Sequence, residues 1–165
     1  MNDELAGQII DRLRSQGLFL AVAESLTGGD LSSRFVSIPG ASDVFLGGVV
    51  AYQTALKNKW LGVDSELLER RGAVDPDVAA QMAAGVAKNA ADALGIDRER
   101  IFGLATTGVA GPTEQDGQPV GKVFVAIVRG DLSTVVELDH TGNRTEIRAQ
   151  AALAALAALW EQIAQ

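Results

Sequence analysis

Apolar positions along this chain follow two rhythms in turn. Between residues 4 and 16, Leu5, Ile9 and Leu13 stand four apart among charged and polar neighbours, and the stretch stops at Gly17. That spacing predicts an amphipathic helix with a glycine end. LFLAVA (18–23) reads as a buried strand, and DLSSRFVSI, after the Gly28-Gly29 turn, as a short helix closed by Pro39-Gly40. VFLGGVVAY (44–52) predicts a second strand, whose glycines signal a bulge or a close backbone approach. Thr54 to Leu61 and Ser65 to Arg71 read as short helices separated by Gly62-Val63-Asp64, with Asp64 as a cap. A longer helix follows Asp75-Pro76 and runs to Gly95; Pro76 suits its first turn, and Val78, Met82 and Val86 form its core-facing stripe.

IFGLATT (101–107) predicts a third strand, followed by the glycine- and proline-rich loop GVAGPTEQDGQP. VGKVFVAIVRG and STVVELDH read as two more strands, paired as a hairpin about Gly130-Asp131. The last helix runs from about Thr145 to Ile163, with Asn143 and Glu146 in capping-box spacing. This order predicts an α/β fold: one three-layer α/β/α domain over residues 1–165 with a mixed, mostly parallel central sheet. LFLAVAESLTGG and IFGLATTGVAGP echo one another, each an apolar strand running into a Thr-containing, Gly-rich turn. If those strands lie parallel and close, both turns emerge at one carboxyl edge and share a pocket.

Composition narrows the chemistry. With 165 residues, 47% hydrophobic and 21% charged, the chain is long and apolar enough for one sizeable core. No apolar run approaches the ~18–20 residues of a membrane span, and the acidic start MNDELAGQIIDRLRSQG lacks a signal pattern. A cytoplasmic protein with no membrane partner is expected. The absence of cysteine removes thiolate chemistry and Cys-based zinc sites, and the single His140 leaves too little histidine for a metal motif or a Ser-His-Asp triad. Neither a metal nor a cofactor is expected, and His140 reads as a surface residue. A net charge of -7 argues against nucleic acid as partner.

The turn Glu24-Ser25-Leu26-Thr27-Gly28-Gly29 admits two readings. Thr27 is a helix N-cap, with Gly28 and Gly29 permitting the turn and Asp30 suiting the dipole. Alternatively, Ser25 is a rigidly held nucleophile, and the N–H groups of Thr27, Gly28 and Gly29 form an oxyanion hole. With histidine almost unavailable, the base falls to a lysine, and AYQTALKNKWLGV supplies Tyr52, Lys57 and Lys59. An unperturbed lysine is only about a thousandth neutral at physiological pH, so it needs burial or a nearby cation. The loop Thr106-Thr107-Gly108-Val109-Ala110-Gly111-Pro112 is either an ordinary tight turn or a backbone cradle for an anion. Arg144 starts the last helix, where the dipole disfavours a cation, and Arg148 follows on the same face; they read as a solvated pair or as an anion site.

Five stretches, taken in order, resemble one family: AESLTGG (23–29), GGVVAYQTALKNKWLGV (47–63), RGAVDPDVAAQMAAGVA (71–87), TTGVAGP with PVGKVFVAI (106–112 and 119–127), and GNRTEIRAQAALAAL (142–156). The family is the C-terminal domain of the competence/damage-inducible protein CinA, also called nicotinamide-nucleotide amidase. The resemblance implies hydrolysis of the carboxamide of nicotinamide mononucleotide to nicotinate mononucleotide and ammonia. It implies Ser25 as nucleophile, Lys57 rather than Lys59 in general-base chemistry, and Tyr52 completing a Ser-Lys-Tyr set. It also assigns Thr107, Gly108, Ala110, Gly111 and Arg144 to the ligand pocket. Thr113-Glu114-Gln115-Asp116 replaces the further glycines common after Gly-Pro, which changes one pocket wall. Some full-length relatives carry a further N-terminal domain that is not expected in this chain. The Ala-rich last helix and the glycine-containing second strand offer surfaces for a homo-oligomer. Two other readings remain: a nucleotide-binding or regulatory module without turnover, linked to competence or DNA damage, and an amidase acting on another carboxamide.

Overall fold

The structure is a computed structural model and describes residues 3–164. Its order is α1 (Asp3–Gln16), β1 (Phe19–Glu24), α2 (Asp30–Val36), β2 (Phe45–Val50), α3 (Thr54–Leu61), α4 (Ser65–Arg71), α5 (Pro76–Leu94), β3 (Ile101–Gly108), β4 (Lys122–Arg129), β5 (Leu132–Asp139) and α6 (Arg144–Ile163). The local signals hold. Asp64 caps α4 and Asp75 caps α5 behind Pro76, while Asn143 and Glu146 form the full capping box of α6. Each cap supplies acceptors for N–H groups that the first helical turn leaves unpaired.

The five strands form one sheet in the order β2-β1-β3-β4-β5. β1 pairs parallel with β2 and β3, whereas β4 runs antiparallel to both β3 and β5. The sheet is therefore mixed, with two parallel and two antiparallel ladders; four of its five strands point the same way. Helices cover both faces. On one, α1, α2 and α6 bury Ile9, Ile10, Leu13, Leu31, Phe35 and Leu156 against the sheet. On the other, Val78, Met82 and Val86 of α5 pack with Leu61, Leu67 and Leu68 over Ala21, Ile101 and Ala126. The alanines of α6, including Ala151, Ala152 and Ala155, are buried in this chain's own core.

Both expectations for the glycines of β2 are met. The pairing jumps from Leu20↔Phe45 to Ala21↔Gly47, which is a bulge, and at Gly48 a Cβ would collide with the Ser32 hydroxyl. Gly85 plays a comparable part in α5: a Cβ there would overlap the Leu61 carbonyl at the end of α3. That close approach seats α3, and with it Lys57, against α5.

Candidate active site

The ends of three strands meet at one edge. Glu24 lies opposite Thr106 and Val50, the Ser25 N–H donates to the Thr106 carbonyl (3.0 Å), and the Ala51 N–H donates to the Glu24 carbonyl (3.0 Å). The turn after β1 enters α2 on one face while the turn after β2 enters α3 on the other, which opens a crevice at this carboxyl edge. The shared pocket expected from the two echoing turns is here.

Lys57 lies behind Ser25, fully buried on α3. Its Nζ donates to Ser25 Oγ at 3.0 Å, to the Ala51 carbonyl at 2.7 Å and to the Tyr52 carbonyl at 3.4 Å. Burial is the main influence on its pKa, which falls from 10.5 to about 8; the Asp116 carboxylate partly opposes that fall. Lys59, two residues on, is exposed. Of the two lysines, the fold gives only Lys57 the burial a base requires.

The turn that carries Ser25 is built differently from the sequence reading. Thr27 is not the cap of α2: its hydroxyl is buried and shares a 2.8 Å bond with the Thr106 hydroxyl, tying the two echoing turns together. Gly29 holds the N-cap position in the left-handed region (φ 98°) and supplies no side-chain acceptor. Glu24 provides one instead. Its buried carboxylate accepts from the Gly29 and Leu31 N–H groups through Oε2 and from the Ser32 N–H and hydroxyl through Oε1, at 2.6–3.1 Å. The proposed oxyanion hole shrinks accordingly. The Gly29 N–H belongs to Glu24, the Gly28 N–H donates to the Ser25 carbonyl (3.1 Å), and only the Thr27 N–H lacks an acceptor among the described residues.

Ser25 opens into a cavity of about 390 Å³. Tyr52, Thr107, Gly108, Ala110, Gly111 and Arg144 line it; Thr27 and Thr106 are buried outside the lining, and Gly28 and Gly29 lie outside it toward the surface. The Thr107 hydroxyl donates to the Ala73 carbonyl (2.6 Å), so it braces the wall. Arg144 bridges the mouth, donating to the Gly111 carbonyl (2.5 Å) and to the Tyr52 hydroxyl (2.8 Å). Tyr52 therefore meets Lys57 through its backbone carbonyl and Arg144 through its hydroxyl. Among the described residues, no group of three or more His, Asp or Glu side chains is placed to hold a metal ion.

Residues 2–163 match the family model described as the CinA C-terminal domain. The chain belongs to this family. It is 42% identical over 158 residues to a CinA-like protein of Frankia casuarinae, covering 94% of this chain and 34% of that protein. With a putative competence-damage inducible protein of Moorella thermoacetica the identity is 45% over 153 residues, 92% of this chain and 35% of the relative. The chain thus spans about a third of the length of these curated relatives. Among solved structures, the competence/damage inducible protein CihA of Agrobacterium tumefaciens superposes with a TM-score of 0.88 at 34% identity, covering 99% of this chain and 95% of that one. A CinA superfamily protein of Klebsiella pneumoniae gives the same TM-score at 29% identity, with 99% and 98% covered. The three-layer fold is therefore the CinA fold, and no helix among the described residues is long and apolar enough to cross a membrane.

Within this CinA domain, three residues that shape the site carried no assigned role in the sequence. Glu24 secures the head of α2. Arg148, read with Arg144 as a solvated pair or an anion site, instead donates to the Leu26 and Thr27 carbonyls, both at 2.8 Å, and straps the Ser25 turn from α6. Asp116, on the loop after β3, accepts from the Ala73 N–H at the edge of the cavity wall. His140 is half-exposed: its Nε2 is shielded from solvent without a hydrogen-bond partner, and burial lowers its pKa. For Glu24 the available signal was a lone acid at the inner end of an apolar strand, just before a glycine pair that cannot cap through a side chain.

Proposed function

We propose that this CinA-family chain is an amidase that hydrolyses the carboxamide of nicotinamide mononucleotide to nicotinate mononucleotide and ammonia. One observation carries the reading: a buried lysine Nζ 3.0 Å from a serine Oγ that opens into a cavity. A binding module has no use for a lysine held in so costly a place.

In this mechanism neutral Lys57 takes the Ser25 hydroxyl proton as Oγ bonds to the carboxamide carbon. The carbonyl oxygen gains negative charge beside the Ser25 turn as that bond forms. Lys57 then returns the proton to nitrogen as the C–N bond breaks, and ammonia leaves. Water attacks the acyl-Ser25 ester, giving its proton to Lys57, and the carboxylate departs as Oγ regains hydrogen. Arg144 holds the phosphate at the mouth, oriented by the Tyr52 hydroxyl and the Gly111 carbonyl.

The test is ammonia release from nicotinamide mononucleotide by wild type, Ser25→Ala and Lys57→Ala. Loss of the nucleophile costs more than ~10³-fold, so Ser25→Ala activity within about tenfold of wild type would sink the assignment. A second reading, an amidase acting on a different carboxamide, draws on Thr113, Glu114 and Gln115 in the cavity wall. The Glu114 carboxylate stands where it would repel a poorly placed phosphate. Turnover of an uncharged carboxamide in preference to the nucleotide would favour that reading; tight nucleotide binding with no product from either would favour a binding module.

A further inference from the structure

Between Pro112 and Pro119 the chain forms a small hairpin that none of the motifs above explains. Gln115 and Gln118 make a single bridge, with N–H to carbonyl bonds of 3.1 and 2.8 Å in the two directions. Asp116 and Gly117 between them have φ of 51° and 75°. Two successive positive φ values make a mirror-image tight turn, for which Asp-Gly is a preferred pair. Asp116 is the only non-glycine residue with positive φ among the described residues.

That conformation brings the Asp116 carboxylate onto the turn between α4 and α5. Its Oδ2 accepts from the Ala73 N–H at 2.9 Å, and the Gln115 amide reaches the same oxygen at 3.5 Å. The side chain lies so close to Gly72 that a Cβ there would overlap it. The Ala73 carbonyl, in turn, accepts from the Thr107 hydroxyl. One run of bonds thus joins the hairpin tip, the 72–73 turn and the end of β3. Ala73, Thr107, Thr113, Glu114 and Gln115 all face the cavity of Ser25.

The geometry points to Asp116 as a positioning residue of this site: docked on the Ala73 N–H, it fixes the wall formed by residues 113–115 and holds a negative charge beside the crevice that contains Lys57. Its carboxylate is the charge that opposes the effect of burial on Lys57. The other ionisable groups on the surrounding elements have different engagements. Glu24 is taken up by the head of α2, Asp75 caps α5 and pairs with Arg71, and the Tyr52 hydroxyl is held by Arg144. Glu114 stands on the cavity wall and Lys59 is exposed.

Two variants of the full chain separate the charge from the clamp. Asp116→Asn keeps an acceptor for the Ala73 N–H and removes the charge, whereas Asp116→Ala removes both. The first readout needs no turnover: titrate Lys57 by NMR with ¹³C-labelled lysine, and follow hydrogen exchange at the Ala73 amide. The expected results are a Lys57 midpoint in Asp116→Asn below the wild-type value of about 8, with Ala73 protection kept in Asp116→Asn and lost in Asp116→Ala. The second readout, which rests on the amidase reading, is kinetic. KM should rise roughly tenfold in Asp116→Ala, the size of one lost charge-assisted bond, and the acid limb of kcat/KM should move to lower pH in Asp116→Asn. An unmoved Lys57 midpoint in Asp116→Asn, or full Ala73 protection in Asp116→Ala, overturns the inference. Wild-type inactivity on the nucleotide would count against the amidase alone.

Discussion

Replacing Glu24 with glutamine changes one atom and almost no volume, so it probes the bond pattern at the head of α2 without opening a cavity. The carboxylate accepts from three backbone N–H groups and one hydroxyl. A glutamine keeping its oxygen toward Gly29 and Leu31 turns an NH₂ toward Ser32. The Ser32 hydroxyl can rotate to accept from it, but the Ser32 N–H cannot, and one partly buried donor is left without an acceptor. That costs about 1–3 kcal/mol. Losing a negative charge at a helix N-terminus costs a further ~0.3–1 kcal/mol. The expected sum is about 1–4 kcal/mol, a large share of the ~5–15 kcal/mol that holds a domain folded. Urea unfolding at neutral pH, followed by circular dichroism, measures it directly, and Tm should fall by roughly 3–15 °C for a domain of this size. A loss below ~0.5 kcal/mol would refute the claim that Glu24 is the true cap of α2.

Further outcomes follow from the same site. With neutral Lys57 as the base, kcat/KM should climb roughly tenfold per pH unit up to about 8 and level off above; a flat profile from pH 6 to 9 would contradict that role. The same group should leave a mark on stability. Its pKa is about 8 when folded against 10.5 for a solvent-exposed lysine, so the unfolded chain binds more protons between those values and wild type should gain stability with rising pH across that window. Lys57→Met should lack the gain when both are unfolded in urea from pH 7 to 10. Arg144→Gln should raise KM for nicotinamide mononucleotide by roughly tenfold or more while sparing hydrolysis of free nicotinamide; equal losses on both would remove Arg144 from phosphate binding.

The layers and the caps were legible because their causes are local. Asp64, Asp75 and Asn143 each serve N–H groups two or three residues away, and the period of Val78, Met82 and Val86 needs no knowledge of what covers it. Ser25 and Lys57 were legible as a pair through the family's motif order, and their contact is a product of the parallel β1 and β2. The supports of the site were not legible. Thr27 looks like a cap until Thr106, 79 residues away, claims its hydroxyl. Arg148 looks solvated until α6 lays it over the Ser25 turn from 122 residues away, and Asp116 is a loop acid until a positive-φ turn aims it at Ala73. Residue type and spacing carry no trace of such distant partners.

The three acceptors around Lys57 Nζ can be counted against its hydrogens. An ammonium has three N–H bonds, and Ser25 Oγ, the Ala51 carbonyl and the Tyr52 carbonyl accept all three. A neutral amine keeps two and gains a lone pair. Both carbonyls can only accept, so they claim the two remaining hydrogens, and the lone pair is turned to the one neighbour that also carries a hydrogen to give, the Ser25 hydroxyl. Loss of one proton therefore reverses the direction of a single bond and leaves every heavy atom where it was. Between them, the two carbonyls determine which way the Ser25 hydroxyl hydrogen points.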